Sequence, residues 1–167
     1  MENFSEWPMT KPLAYPVNGQ ISYPPSTVLP GHREAMVAHN TPYSLGGTYG
    51  TVSWLLHSGK RVIIMWYSPG SFLFHKNKLS IGFVNRDLHY ESIADEMYEN
   101  SMNFTVAEYY YSANSIQRCD ETFCVQGTMG TSKHAKIKLY VFPKDKNNFA
   151  TNVEDYMNKL QLDDVVG

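Results

Sequence analysis

Gly47-Thr48-Tyr49-Gly50-Thr51-Val52-Ser53-Trp54-Leu55-Leu56-His57, then Ser58-Gly59, then Arg61-Val62-Ile63-Ile64-Met65-Trp66-Tyr67 is the stretch that decides the fold. In its first part Tyr49, Thr51, Ser53 and Leu55 alternate with Gly50, Val52, Trp54 and Leu56, the two-residue period of a strand whose faces meet different surroundings. Ser58-Gly59 reads as a tight turn, and Arg61–Tyr67 is apolar on both faces. Together they predict a hairpin whose second strand is central in a sheet.

Downstream, Ser68-Pro69-Gly70-Ser71 breaks the strand, and Ser71–Lys78 reads as a loop carrying Phe72, Leu73 and Phe74. Leu79, Ile81 and Phe83 alternate with Ser80 and Gly82, the pattern of a half-buried strand. One internal stretch has helical spacing. Ser92-Ile93-Ala94-Asp95 resembles an N-cap with an acidic third residue, and Ile93, Ala94, Met97, Tyr98 and Ser101 follow at three- and four-residue steps. Phe104–Ser112, Thr122–Thr128 and His134–Phe142 predict three more strands. Upstream, Pro8, Pro12, Pro16, Pro24, Pro25 and Pro30 confine strands to short or edge positions, because proline removes a ladder donor. Thr10–Val17 and Arg33–His39 are the strands expected there. Beyond Pro143, Thr151-Asn152-Val153-Glu154 is a capping box, and Val153, Tyr156, Met157 and Leu160 form a narrow stripe that predicts a short helix. The count of about eight strands implies a mainly β fold, a compact β-sandwich flanked by one or two short α-helices. It divides into a sandwich domain over 1–147 and a C-terminal extension over 148–167.

The chain has 167 residues, 43% hydrophobic and 18% charged, enough for one core and too apolar for disorder. A net charge of −2 argues against binding duplex nucleic acid, which requires a field of Lys and Arg. The longest apolar run, Val62–Tyr67, falls far short of the roughly 20 residues of a membrane-spanning helix. Met1–Trp7 shows no basic segment leading into an apolar one, so no signal peptide is visible.

Chemical motifs are sparse. His32, His39, His57, His75, His89 and His134 are scattered singly, which predicts surface or hydrogen-bonded core histidines rather than metal ligands. No phosphate loop, dinucleotide fingerprint or nucleophile elbow occurs, so neither an enzyme nor a cofactor is expected. Cys119 and Cys124 fit either a small hairpin disulfide or two free thiols. Aromatic rings in loops are the informative feature. Met65–His75 places Trp66, Tyr67, Phe72, Phe74 and His75 around one turn. Trp66 and Leu73 are expected to pack on the core. The others suit a membrane–water interface, where an apolar ring with a polar edge is at home.

The order of these elements resembles the actinoporins, sea-anemone-type pore-forming cytolysins, and their animal relatives, from about Leu13 to Phe142. The marks are Pro24-Pro25 with Thr27-Val28-Leu29-Pro30-Gly31, Gly46-Gly47-Thr48-Tyr49-Gly50-Thr51-Val52, Ile64-Met65-Trp66-Tyr67-Ser68-Pro69, Ala94-Asp95 with Met97-Tyr98-Glu99, and His134-Ala135-Lys136-Ile137-Lys138-Leu139. The resemblance implies a secreted or target-membrane protein that binds phosphocholine headgroups, typically of sphingomyelin. It also implies insertion of an N-terminal amphipathic helix and oligomerisation into a pore. By the same resemblance Pro69 matches the loop proline of the headgroup site and Tyr98 its first helix tyrosine. Tyr67 stands where the family has serine, His75 and Met102 where it has tyrosine, as does Asn103. Tyr49 replaces a small apolar residue, and Asn18 a first-strand serine. Phe74 replaces the tryptophan that seats in the bilayer, and Lys78 a second one nearby. Tyr67, Phe72 and Phe74 are the expected membrane interface. Only Met1–Glu6 precede the segment resembling the family's, too short for a pore-lining helix, so pore formation is not expected of this chain by that route. The competing expectation is a lectin-like sandwich, similar to fungal fruit-body lectins, that binds carbohydrate or protein.

Overall fold

The computed structural model describes residues 1–73, 75–99 and 102–153. Its strands are β1 (Glu2–Asn3), β2 (Thr10–Asn18), β3 (Gln20–Tyr23), β4 (Val37–His39), β5 (Thr48–Leu55), β6 (Lys60–Ser68), β7 (Asn77–Asn85), β8 (Phe104–Tyr109), β9 (Ile116–Cys119), β10 (Phe123–Met129) and β11 (Ile137–Pro143). A helix, α1, spans Ile93–Tyr98, and a 3-10 turn spans Lys146–Asn148. Five strands form one sheet in the order β2-β5-β6-β7-β8, and four form another in the order β1-β11-β10-β9. β3 and β4 make a separate ribbon. This is the β-sandwich expected, with β6 at the centre of the larger sheet.

The deciding hairpin pairs Thr48 with Ser68 through to Leu55 with Arg61 without a slip. Its turn closes through Leu56 N–H to Lys60 O at 2.9 Å, and Gly59 sits at φ +83°, a conformation open to glycine. β6 is apolar on both faces because both are covered. Val62, Ile64 and Trp66 enter the core between the sheets with Val52, Trp54, Leu79 and Ile81, against Phe123, Val125, Leu139 and Val141. Ile63 and Met65 face outward and are buried by Ile93, Met97 and Phe104. Each of these buried chains contributes roughly 2 kcal/mol of transfer free energy. Trp66 is in the core, and its indole N–H donates to Thr48 Oγ1 at 3.0 Å.

Five expectations need correction. β7 is not half-buried: Leu79, Ser80, Ile81 and Gly82 are all buried, because α1 and β8 cover the face that would otherwise meet solvent. Ser92 does not cap α1 with its side chain; it lies at φ −82°, ψ 0° and makes no cap bond. The strand expected over Phe104–Ser112 stops at Tyr109. The strands expected at Arg33 and His134 begin only at Val37 and Ile137. β1, β3 and β9, only two to four residues long, had no sequence signal.

Cys119 and Cys124 are disulfide-bonded, directly opposite each other on β9 and β10. The turn between them is tied by Asp120 Oδ1, which accepts from Thr122 N–H and Phe123 N–H. His89 is a core histidine, set between Ser53 Oγ at 2.6 Å and Thr51 Oγ1 at 2.9 Å. Burial, and then the Arg61 charge, push its pKa down to about 4. Of the expected C-terminal extension, Ala150 and Val153 pack with Phe149, Phe142 and Cys124. The remainder of the predicted helix, from 154 onward, lies outside the described residues.

Candidate functional site

Strand register builds the site. Tyr49 pairs with Tyr67, Tyr67 with Lys78, and Lys78 with Glu108, so the four side chains form one row across the outer face of β5, β6, β7 and β8. Tyr98, the last residue of α1, closes over this row. The rings of Tyr49, Tyr67 and Tyr98 form a triangle with centroids 5.4–5.9 Å apart, each pair close to edge-on. Edge-on pairs let the positive rim of one ring meet the negative face of the next, and they define the position of each ring. His75 joins with its ring 6.1 Å from Tyr67.

The electrostatics of the row are specific. Lys78 Nζ stands 3.7 Å from the centroid of the Tyr98 ring, so this ring already carries a cation on its face. The same ammonium lies 3.6 Å from Glu108 Oε1, and Lys76 lies 3.4 Å from Glu108 Oε2. Tyr49 donates to Asp95 Oδ1 at 3.3 Å. Burial first, and then the Asp95 charge, hold the Tyr49 phenol well above its ordinary value. Burial, then Tyr98, also raises Tyr67. Both hydroxyls stay protonated across the neutral range, the single proton of Tyr49 being engaged by Asp95. A cleft of about 580 Å³ opens beside the triangle, lined by Lys78, Tyr98, Glu99, Val106, Ala107 and Glu108.

Not every residue expected at the site comes to it. Tyr49, Tyr67, His75 and Tyr98 are brought together. Pro69 is buried and offers no exposed surface to a ligand. Met102 is 94% exposed and stands apart. It lies just before Phe104, which pairs with Gly82, four residues along β7 from Lys78, or about 13 Å at the rise of a strand. Phe72 is half-buried, and Phe74 lies outside the described residues. Leu73, expected in the core, is 82% exposed.

The structure adds residues that the sequence did not single out. The segments Leu45–Gly47 and Ser68–Gly70 lie backbone to backbone. A Cβ on Gly70 would meet Leu45 O at 1.9 Å, and one on Gly47, at φ +76°, would meet Ser68 O at 2.2 Å. Only glycine permits that approach. It sets Tyr43 and Leu45, both essentially fully exposed, beside the loop of Leu73. Lys78 was placed only by its resemblance to a tryptophan position; its contact with Tyr98, 20 residues away, has no local signal. Among the described residues no group of three or more His, Cys, Asp or Glu could hold a metal ion. No described helix is long and apolar enough to cross a membrane.

No protein-family model matches the chain. It is 29% identical to Tereporin-Ca1 of Terebra anilis over 88% of its own length and 84% of the relative's. It is 27% identical to Conoporin-Cn1 of Conus consors, with 88% and 62% covered. It is 29% identical to Echotoxin-2 of Monoplex parthenopeus, with 92% and 59% covered. The chain thus spans less than two thirds of the length of the second and third relatives. Among solved structures, the lipid-binding protein Nakanori matches with a TM-score of 0.65 over 81% of this chain and 64% of that one, at 8% identity, which speaks to the fold alone. The resemblance to the actinoporin-like family is borne out by the three molluscan relatives.

Proposed function

We propose that this chain is a membrane-binding protein of the actinoporin-like cytolysin class and not an enzyme. In this reading it is secreted or associated with a target membrane, and it attaches to phospholipid headgroups by the end of the sandwich that carries the ring triangle. The observation that carries the reading is the Tyr49–Tyr67–Tyr98 triangle beside a loop that exposes Leu73. Three rings in mutual contact offer faces to a quaternary ammonium, and the Tyr67 and Tyr98 hydroxyls offer donors to the attached phosphate, that of Tyr49 being given to Asp95. Such chemistry fits a phosphocholine headgroup, including that of sphingomyelin. Lys78 already covers one face of Tyr98, so a choline has either to displace it or to use the faces of Tyr49 and Tyr67. Oligomerisation into a pore on the membrane belongs to the same proposal, supported by the names of the porin relatives.

Co-sedimentation with phosphatidylcholine vesicles, with and without sphingomyelin, tests the reading, and dye release from the same vesicles tests pore formation. The expected result is pelleting with vesicles, weakened about tenfold in Tyr67→Ala/Tyr98→Ala, as expected for roughly 1–2 kcal/mol of ring–cation contact. Absence of pelleting with any lipid contradicts it and brings a carbohydrate or protein partner forward.

A further inference from the structure

Among the described residues, five large apolar side chains are more than 80% exposed: Tyr43, Leu45, Leu73, Met102 and Tyr111. All but Met102 lie at one end of the sandwich. Loops 40–47 and 69–76 are joined there through Gly47 and Gly70. Tyr110 and Tyr111 follow the last residue of β8, which pairs with Asn77 at the start of β7, and Lys76 Nζ sits 6.0 Å from the Tyr110 ring centroid. The other sheet joins through the buried Asn77, whose side-chain amide donates to Gly130 O at 2.8 Å and Ser132 O at 2.9 Å. Loop 130–136 is thereby fixed to the same end. Thr128 Oγ1 donates to Ala113 O and fixes segment 110–115 there as well.

The charge of this end is one-sided. The chain has 16 Asp and Glu, yet none falls in 40–47, 69–76, 110–115 or 130–136. Those segments hold Lys76, Lys133 and Lys136. Lys76 is engaged by Glu108, which it shares with Lys78. Lys133 and Lys136 are exposed and make no ion pair among the described residues. Further acids flank the ring triangle: Asp95 and Glu96 on α1 accept from Tyr49 and Tyr90, and Glu99 lines the cleft with Lys78 and Glu108. Exposed apolar side chains alone suit any bilayer, but lysines without acids beside them suit a surface of negative charge.

Resting on the membrane reading above, we infer that this end docks on an anionic phospholipid surface. Tyr43, Leu45, Leu73 and Tyr111 enter the headgroup region, and Lys133 and Lys136 meet the lipid charge. A negative net charge of −2 for the whole chain is no obstacle, because a bilayer senses charge within about a Debye length, some 8–10 Å, of the docking end.

The test is partition of the full chain between buffer and vesicles of phosphatidylcholine alone, or of phosphatidylcholine mixed with phosphatidylserine, at low and high salt. The expected result is at least tenfold tighter binding to the mixed vesicles, lost at high salt. Lys133→Gln/Lys136→Gln is expected to weaken binding to mixed vesicles on the order of twentyfold, at about fivefold per lysine near an anionic surface. Lys60→Gln/Lys144→Gln, at the opposite end, is expected to change it little. Equal binding to both compositions overturns the inference and leaves the membrane reading standing. Salt-sensitive binding unaffected by the Lys133 and Lys136 changes overturns the assignment of the surface. No binding to either composition overturns both.

Discussion

At one end of the sandwich, the turn at Leu56–Lys60 and the turn between Cys119 and Cys124 close their strands with short polar segments bonded to one another. Lys60 reaches Glu121 at 2.6 Å and Asp120 at 3.7 Å across them, and a disulfide locks the second turn. At the other end, segments 40–47, 69–76, 110–115 and 130–136, which hold lysines and no acids of their own, leave Tyr43, Leu45, Leu73 and Tyr111 in solvent. A shared core supports both ends, so the difference is not one of stability. A solvated turn satisfies its polar groups internally, whereas apolar side chains held out on a rigid frame remain unfavourable until another surface covers them. The turn end is finished as it stands; the loop end is complementary to something else.

The largest expected effect breaks this contrast directly. Leu45→Ser/Leu73→Ser should lower vesicle partition on the order of a hundredfold or more, since burying two leucines is worth roughly 3–5 kcal/mol. The thermal midpoint should hardly move, because neither side chain is packed. Next in size is an acid dependence. His89 ties the segment that leads into α1, and so to Tyr98, onto Thr51 and Ser53 of β5. Its pKa of about 4 lies below the ordinary 6.5, so the unfolded chain takes up the proton first. The native advantage is therefore intact above about pH 6.5 and is lost as pH falls toward 4, by about 3 kcal/mol in all. Denaturant midpoints across that range should show the slope, and His89→Gln should flatten it. Smallest is removal of the disulfide. Cys119→Ser/Cys124→Ser opens a loop of only six residues and should cost about 2 kcal/mol of stability, with vesicle binding unchanged. A loss of binding in that variant would mean that the two ends are coupled.

The fold was largely legible because its centre is strongly patterned. The alternation of Thr48–Leu55 and the unbroken apolar run Val62–Tyr67 leave one arrangement, a central hairpin covered on both sides. Short edges were not legible. Ile116–Cys119 has four residues, none buried, and is a strand only because β10 pairs with it. The ring cluster was half legible. Tyr67 and Tyr98 stood out as aromatics beside a loop and on a helix. That Lys78 caps Tyr98, and that Glu108 holds both Lys76 and Lys78, follow from register between strands far apart in sequence. Leu73 was misjudged for a related reason. A lone leucine in a loop usually finds the core, whereas here the backbones of Leu45–Gly47 and Ser68–Gly70 close on each other and Leu73 is left in solvent. Cys119 and Cys124 could not be assigned from spacing; their position opposite each other on paired strands decides it.

The most direct test labels both ends. An environment-sensitive fluorophore attached at Leu73→Cys, and in a separate protein at Ser58→Cys in the opposite turn, reports which end meets lipid when vesicles of mixed phosphatidylcholine and phosphatidylserine are added. The account predicts a blue shift at position 73 and none at 58. A shift at 58, or binding with no shift at 73, would contradict it.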